Sequence, residues 1–184
     1  MNQIDTESKV IAFNNWAQRA GWPQRCDVAH SFDAPILREA LAVWCEKAGS
    51  HRCPSRLEMT PRAMKAFLAK VAIIDVVYAE NAIRYRARIM GTEVERYYGK
   101  STGAYIDEGA PEPFRERWSA VWGLSLEIEE PLRMTSKIEF RNQEYISMEC
   151  LIAPLGELDQ RPDTVLQVSN FSPTELSITV AKYV

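Results

Sequence analysis

The stretch whose reading decides the fold is Ile83–Gly103, IRYRARIMGTEVERYYGKSTG. Arg84, Arg86 and Arg88 alternate with Tyr85, Ala87 and Ile89, the period of two expected of a strand with one charged and one apolar face. Gly91 breaks the strand, and Thr92-Glu93-Val94-Glu95 has the form of a capping box opening a short helix. Gly99 and Gly103 close that helix and the turn behind it. A strand that runs into a short helix and a glycine turn is an arrangement on which many small-molecule pockets are built.

Working outward, the chain of 184 residues is one domain of ordinary size with room for an N-terminal extension. It is 46% hydrophobic and 26% charged, which predicts a packed core and excludes disorder as its ground state. A net charge of −3 argues against a nucleic-acid-binding protein, although Arg84, Arg86 and Arg88 can form a local basic strip. No apolar run approaches the ~20 residues of a membrane span, and MNQIDTESKVIAF lacks the form of a secretory signal. A cytoplasmic location is the default expectation, with no membrane and no nucleic acid as partner.

Cys26, Cys45, Cys53 and Cys150 form no Cys-x-x-Cys pair, and His30 and His51 are the two histidines available to help them. The spacing disfavours a tetrahedral zinc site and fits reduced thiols. His51-Arg52-Cys53 sits in a turn with no carboxylate placed to orient the histidine, so it reads as structural.

The first half reads as helical. Asp5 and Thr6 are candidate caps for a helix through Val10, Phe13, Ala17 and Ala20 that ends at Gly21. A second helix follows Asp33, with Pro35 in its first turn and an apolar stripe of Ile36, Leu37, Ala40, Leu41 and Trp44. Thr60 and Pro61 predict the start of a third, burying Met64, Phe67 and Leu68.

The second half reads as strands. Val71–Tyr78 is β-branched and pairs with the arginine strand through the turn Ala79–Ala82. Short helices follow over Glu93–Tyr98 and near Ala104–Glu108. A longer one places Phe114, Trp118, Val121 and Trp122 on one face. Three strands complete the set: Leu132–Phe140, Glu144–Ala153 and Thr164–Asn170, the first two joined by the turn Arg141-Asn142-Gln143. Leu176, Ile178 and Val180 alternate as a further strand able to extend the sheet or pair with a second copy. The order predicts an α+β fold: a five-stranded antiparallel sheet with helices inserted after its second strand, enclosing a cavity.

Several motifs resemble a bacterial family of PAS-like domains that carry an N-terminal helical segment. They are Trp44, Pro54-Ser55-Arg56, Pro61, Asp75-Val76-Val77, Tyr85–Thr92, Gly99 and Thr102-Gly103, in that order. Met59-Thr60 departs from the family pattern, which more often has an acidic residue before the proline. The resemblance implies a helical extension over residues 1–33, a PAS-like domain over 34–171 and a C-terminal strand or tail over 172–184. It implies a stand-alone sensory or regulatory module without intrinsic catalysis, acting through a small ligand or a protein partner and as a homodimer.

The resemblance leaves the ligand open. Histidine-ligated haem is disfavoured because both histidines precede the first strand of that domain, and cysteine-adduct flavin because Glu93–Trp122 contains no cysteine. The site candidates are Arg88 as a clamp for a carboxylate or phosphate, with Tyr85, Tyr97, Tyr105, Trp118, Trp122 and Met148 around an apolar pocket. Arg88 has an alternative use in an ion pair with Asp75 or Glu139. Two other function classes stay open. One is an anionic nucleotide-messenger binder using Arg84, Arg86 and Arg88. The other is a cone-shaped α+β enzyme with Asp75 or Glu149 as general acid or base.

Overall fold

The computed structural model of the protein describes residues 3–79, 82–138, 146–157 and 160–173. The turn Arg141-Asn142-Gln143, the carboxylate of Glu139 and the alternating Leu176, Ile178 and Val180 lie outside the described residues. Eleven elements follow in order: α1 (Gln3–Arg19), β1 (Arg25–Asp27), α2 (Pro35–Ala48), β2 (Val71–Ala79), β3 (Ala82–Met90), α3 (Thr92–Tyr98), α4 (Ile106–Gly109), α5 (Phe114–Ile128), β4 (Leu132–Lys137), β5 (Ile146–Leu155) and β6 (Thr164–Pro173). The α+β architecture is the expected one.

The strands form one antiparallel sheet in the order β1-β4-β5-β6-β2-β3. It has six strands among the described residues, not five. The extra strand is Arg25–Asp27, which pairs with Arg133–Thr135 at the β4 edge. Three residues carry too little periodicity to read as a strand. What holds them is Asn14 of α1: its amide nitrogen donates to the Cys26 carbonyl at 2.8 Å, and its oxygen accepts from the Cys26 amide at 2.9 Å. One side chain thus replaces a neighbouring strand on the open edge.

The inner strands β5 and β6 are buried along most of their length, because helices cover both faces of the sheet. On one face α2 sets Leu37, Ala40 and Trp44 against Val71, Ile73, Leu151 and Leu166. The Trp44 ring nitrogen donates to the Pro154 carbonyl at 2.9 Å, which locks that helix to β5. On the other face α1 and α5 cover Ala72, Ile74, Met134, Met148, Cys150 and Ile152.

The structure departs from three local expectations. The segment after Thr60 is a run of turns ending in a 3-10 turn at Leu68–Lys70, not an α-helix. Thr60 still accepts a bond from the Ala63 amide, and Met64 and Phe67 are buried, but Leu68 is exposed. Thr6 lies inside α1 and donates to Glu130 instead of capping. Thr92 is the first residue of α3, so Gly91 is the N-cap and the expected box does not form. Helix α2 follows Asp33 as expected, and the Asp33 and Ala34 amides at its start donate to the Glu149 carboxylate at 3.0 and 2.9 Å. A carboxylate from β5 thereby satisfies the helix start and complements its dipole.

Gly91 is required for a reason other than its backbone angle. Its amide donates to the Val71 carbonyl at 2.7 Å, and a Cβ there would lie 2.6 Å from the Leu68 carbonyl oxygen and closer still to that of Ala69. Gly91→Ala must push backbone against backbone. We expect a loss of about 2 kcal/mol or more, a fall of roughly 4–8 °C in Tm by calorimetry.

Glu149 yields a second outcome. Burial alone would raise its carboxyl. The Ala34 and Asp33 amides and Arg133, whose Nε donates at 2.6 Å, outweigh that and hold it below its ordinary 4.5. A lowered folded value means the stabilisation is complete above about pH 4.5 and is lost as pH falls through that lowered value. Glu149→Gln should cost about 1–3 kcal/mol at pH 7 in urea unfolding, and the gap from wild type should close as the pH is taken below 4.

Candidate functional site

Between the sheet and the helices α3–α5 lies a cavity of about 170 Å³. Its floor is Ala72 and Ile74 of β2 with Gln167 of β6. Val94 and Tyr98 of α3, Ile106 of α4, and Phe114, Trp118 and Trp122 of α5 form its walls. Exposed Lys100, Gly109 and Pro111 also line it and mark its mouth.

The aromatic wall follows from the i, i+4, i+8 spacing of α5. Phe114 and Trp118 meet edge-on at 6.0 Å, Trp118 and Trp122 stack at 5.5 Å, and Tyr98 sits 5.4 Å from Phe114. These rings pack on one another, in the offset and edge arrangements aromatic pairs favour. The space between them and the floor is left open.

One polar side chain, Gln167, is 3% exposed and lies in the cavity floor. It accepts from the Trp122 ring nitrogen at 3.0 Å and donates to the Ser169 hydroxyl at 3.0 Å, which also accepts from the Cys150 thiol at 3.3 Å. Of the four N–H and lone-pair positions on a glutamine amide, this chain uses two. Burial pushes the Cys150 thiol up to about 12, despite its bond to Ser169, so it is an inert member of this chain.

The residues read from the sequence divide cleanly. Tyr105, Trp118 and Trp122 line the cavity. Tyr85 lies behind it, buried with its ring 5.3 Å from Trp122, and burial pushes its hydroxyl up to about 12. Met148 accepts a bond from the Tyr98 hydroxyl at 3.1 Å, and Tyr97 packs its ring on Phe171 at 4.0 Å at the edge of the same core. Arg88 does not reach the cavity. Its Nε donates to Asp75 Oδ1 at 2.7 Å, the ion pair that the sequence reading set beside the clamp.

Gln167 was missed. Its signal was present as Gln167 and Ser169, two polar residues between Val165 and Phe171 on one face of β6.

The three arginines of β3 do not form one strip. Arg84 makes two bonds to Asp107 at 2.8 and 2.9 Å and one to Glu108 at 2.7 Å, and lies 3.9 Å over the Tyr105 ring. It ties α4 and a cavity wall to the sheet. Arg86 joins Arg88 on Asp75, donating to Oδ2 at 2.9 Å.

Asp75 and Glu149, the two candidate carboxylates for acid–base work, both lie on the α2 face beyond the sheet from the cavity. Burial would raise Asp75, but its bonds to Arg88 and Arg86 win and hold it below its ordinary 3.8. Both groups are shifted away from the neutral range that proton transfer needs. Among the described residues, no three His, Cys, Asp or Glu side chains gather as they would around a metal ion, and no helix is long and apolar enough to cross a membrane.

A family model described as PAS domain matches residues 32–168, well over half of the chain. No curated protein and no solved structure matches it. The chain belongs to the PAS domain family, whose members are typically sensory or regulatory modules.

Proposed function

We propose that this domain is a ligand-responsive regulatory module without catalytic activity, and that its ligand is a small, flat, mainly apolar molecule held between the aromatic wall and the sheet. The observation that carries this reading is the cavity lined by Tyr98, Phe114, Trp118 and Trp122 with Gln167 as its buried polar group. Apolar walls with one or two placed polar groups are how small-molecule sites are built.

Size narrows the class. A dry apolar cavity of about 150 Å³ accommodates a benzene-sized molecule. The 170 Å³ here therefore suits one aromatic ring with a short substituent, whose acceptor or donor meets the free half of the Gln167 amide.

Ala110 lines the cavity near its mouth and is only half-buried, so Ala110→Trp should fill the space without disturbing the core. Native mass spectrometry and an absorbance spectrum of purified protein should reveal a carried ligand. Titration with indole, monitored by isothermal titration calorimetry, should saturate in wild type and weaken at least tenfold in Ala110→Trp, with Tm changed by only a few degrees. Equal binding by the two proteins would remove the reading.

A specific observation favours a protein contact as a second reading. Ile4 and Ile11, seven residues apart on one face of α1, are 72% and 59% exposed, and a second copy of this chain is the occupant we assign to that face. Sedimentation equilibrium should show a dimer that Ile11→Lys shifts to monomer; an unchanged mass distribution would exclude this face.

A further inference from the structure

On the sheet face away from the cavity, three arginines converge on one carboxylate. Asp75 has a side chain 8% exposed and takes one bond from Arg86 and one from Arg88. The Arg56 guanidinium, arriving from the loop after α2, stands 3.9 Å from the same Oδ1 that Arg88 holds. The carboxylate of Glu58, in that loop, is turned instead to the Ser55 amide.

Three cations around one anion leave a local formal charge of +2. The guanidiniums keep their outer faces open: the side chains of Arg56, Arg86 and Arg88 are 38%, 40% and 40% exposed. A guanidinium has five N–H donors, and Asp75 takes one apiece from Arg86 and Arg88.

This arrangement differs from an ordinary charged surface in two respects. The buried carboxylate fixes Arg86 and Arg88 by hydrogen bonds before any ligand arrives, which removes part of the ordering cost of binding. The arginines also come from strand β3 and from a loop some thirty residues earlier, so the excess charge arises from the fold and not from one basic run. Arg84, the third arginine of the strand, is spent on Asp107 and Glu108.

We propose that Arg56, Arg86 and Arg88, organised by Asp75, form a docking site for a phosphate monoester dianion. The forked guanidinium donors match phosphate oxygens in pairs, and the dianion balances the residual charge. A small phosphorylated metabolite and a phosphorylated side chain of a partner protein present the same group. The site is independent of the cavity and stands or falls separately from it.

The test follows the Arg Nε–Hε resonances at low ionic strength during titration with inorganic phosphate, a nucleoside monophosphate and a phosphoserine peptide. Saturable shifts of Arg56, Arg86 and Arg88 are expected, and the tighter of the two esters identifies the source. Arg56→Gln leaves both Asp75 hydrogen bonds in place, so the fold is retained, and should weaken binding about tenfold. Arg84→Gln removes the same charge from the same strand and should leave affinity within twofold. Ala110→Trp, which closes the cavity, should not alter it. No saturable shift with any of the three probes, or equal loss in Arg56→Gln and Arg84→Gln, would overturn the proposal.

Discussion

The sheet of this protein has to be covered on both faces, and the rest of the structure follows from that constraint. Strands β5 and β6 are buried along most of their length, with Leu151, Ala153 and Leu166 toward α2 and Cys150, Ile152 and Val165 toward α5. Covering one face alone would leave a row of aliphatic side chains in water, at about 25 cal/mol for each Å² exposed. Helix α2, which precedes the strand pair in sequence, therefore has to fold back over the sheet. Its docking is specified at two points, Trp44 on Pro154 and the start of the helix on Glu149.

The two faces are covered in different ways, and that difference creates the site. On the α2 side, Leu37, Ala40, Trp44 and Phe67 pack directly against sheet residues in one buried cluster. On the other side, α3 and α4 are short, and the large rings of α5 spend much of their surface on each other. A floor of Ala72 and Ile74 cannot reach them. The cavity is thus the residue of packing large flat groups over small ones, and Arg84 keeps its outer wall in place through Asp107 and Tyr105.

Much of the fold was legible before any coordinates. Period-two alternation marked β2 and β3, period-3.6 spacing marked α2 and α5, and the glycines at 49, 99 and 103 marked turns that all carry positive φ. What was not legible shares one cause. The strand Arg25–Asp27, the turn-rich segment after Thr60 and the cap of α2 are decided by partners distant in sequence: Asn14 and β4, the buried Met64 and Phe67, and Glu149. Short elements have little intrinsic preference, so tertiary contacts settle them.

The site divides along the same line. That Trp118 and Trp122 share a face, and that Arg84, Arg86 and Arg88 sit on the face opposite Tyr85 and Ala87, was determined by the sequence itself, because side-chain direction along a helix or strand is a matter of local geometry. Which groups those faces meet was decided only by the tertiary structure. Asp75 comes opposite Arg86 through the β2–β3 register, and a bulge at Ile73/Ile74 accompanies the arrival of Arg88 at the same carboxylate. Arg56 and Gln167 enter from a loop and a strand far along the chain. Local periodicity fixes where a side chain points; only long-range pairing fixes what it points at.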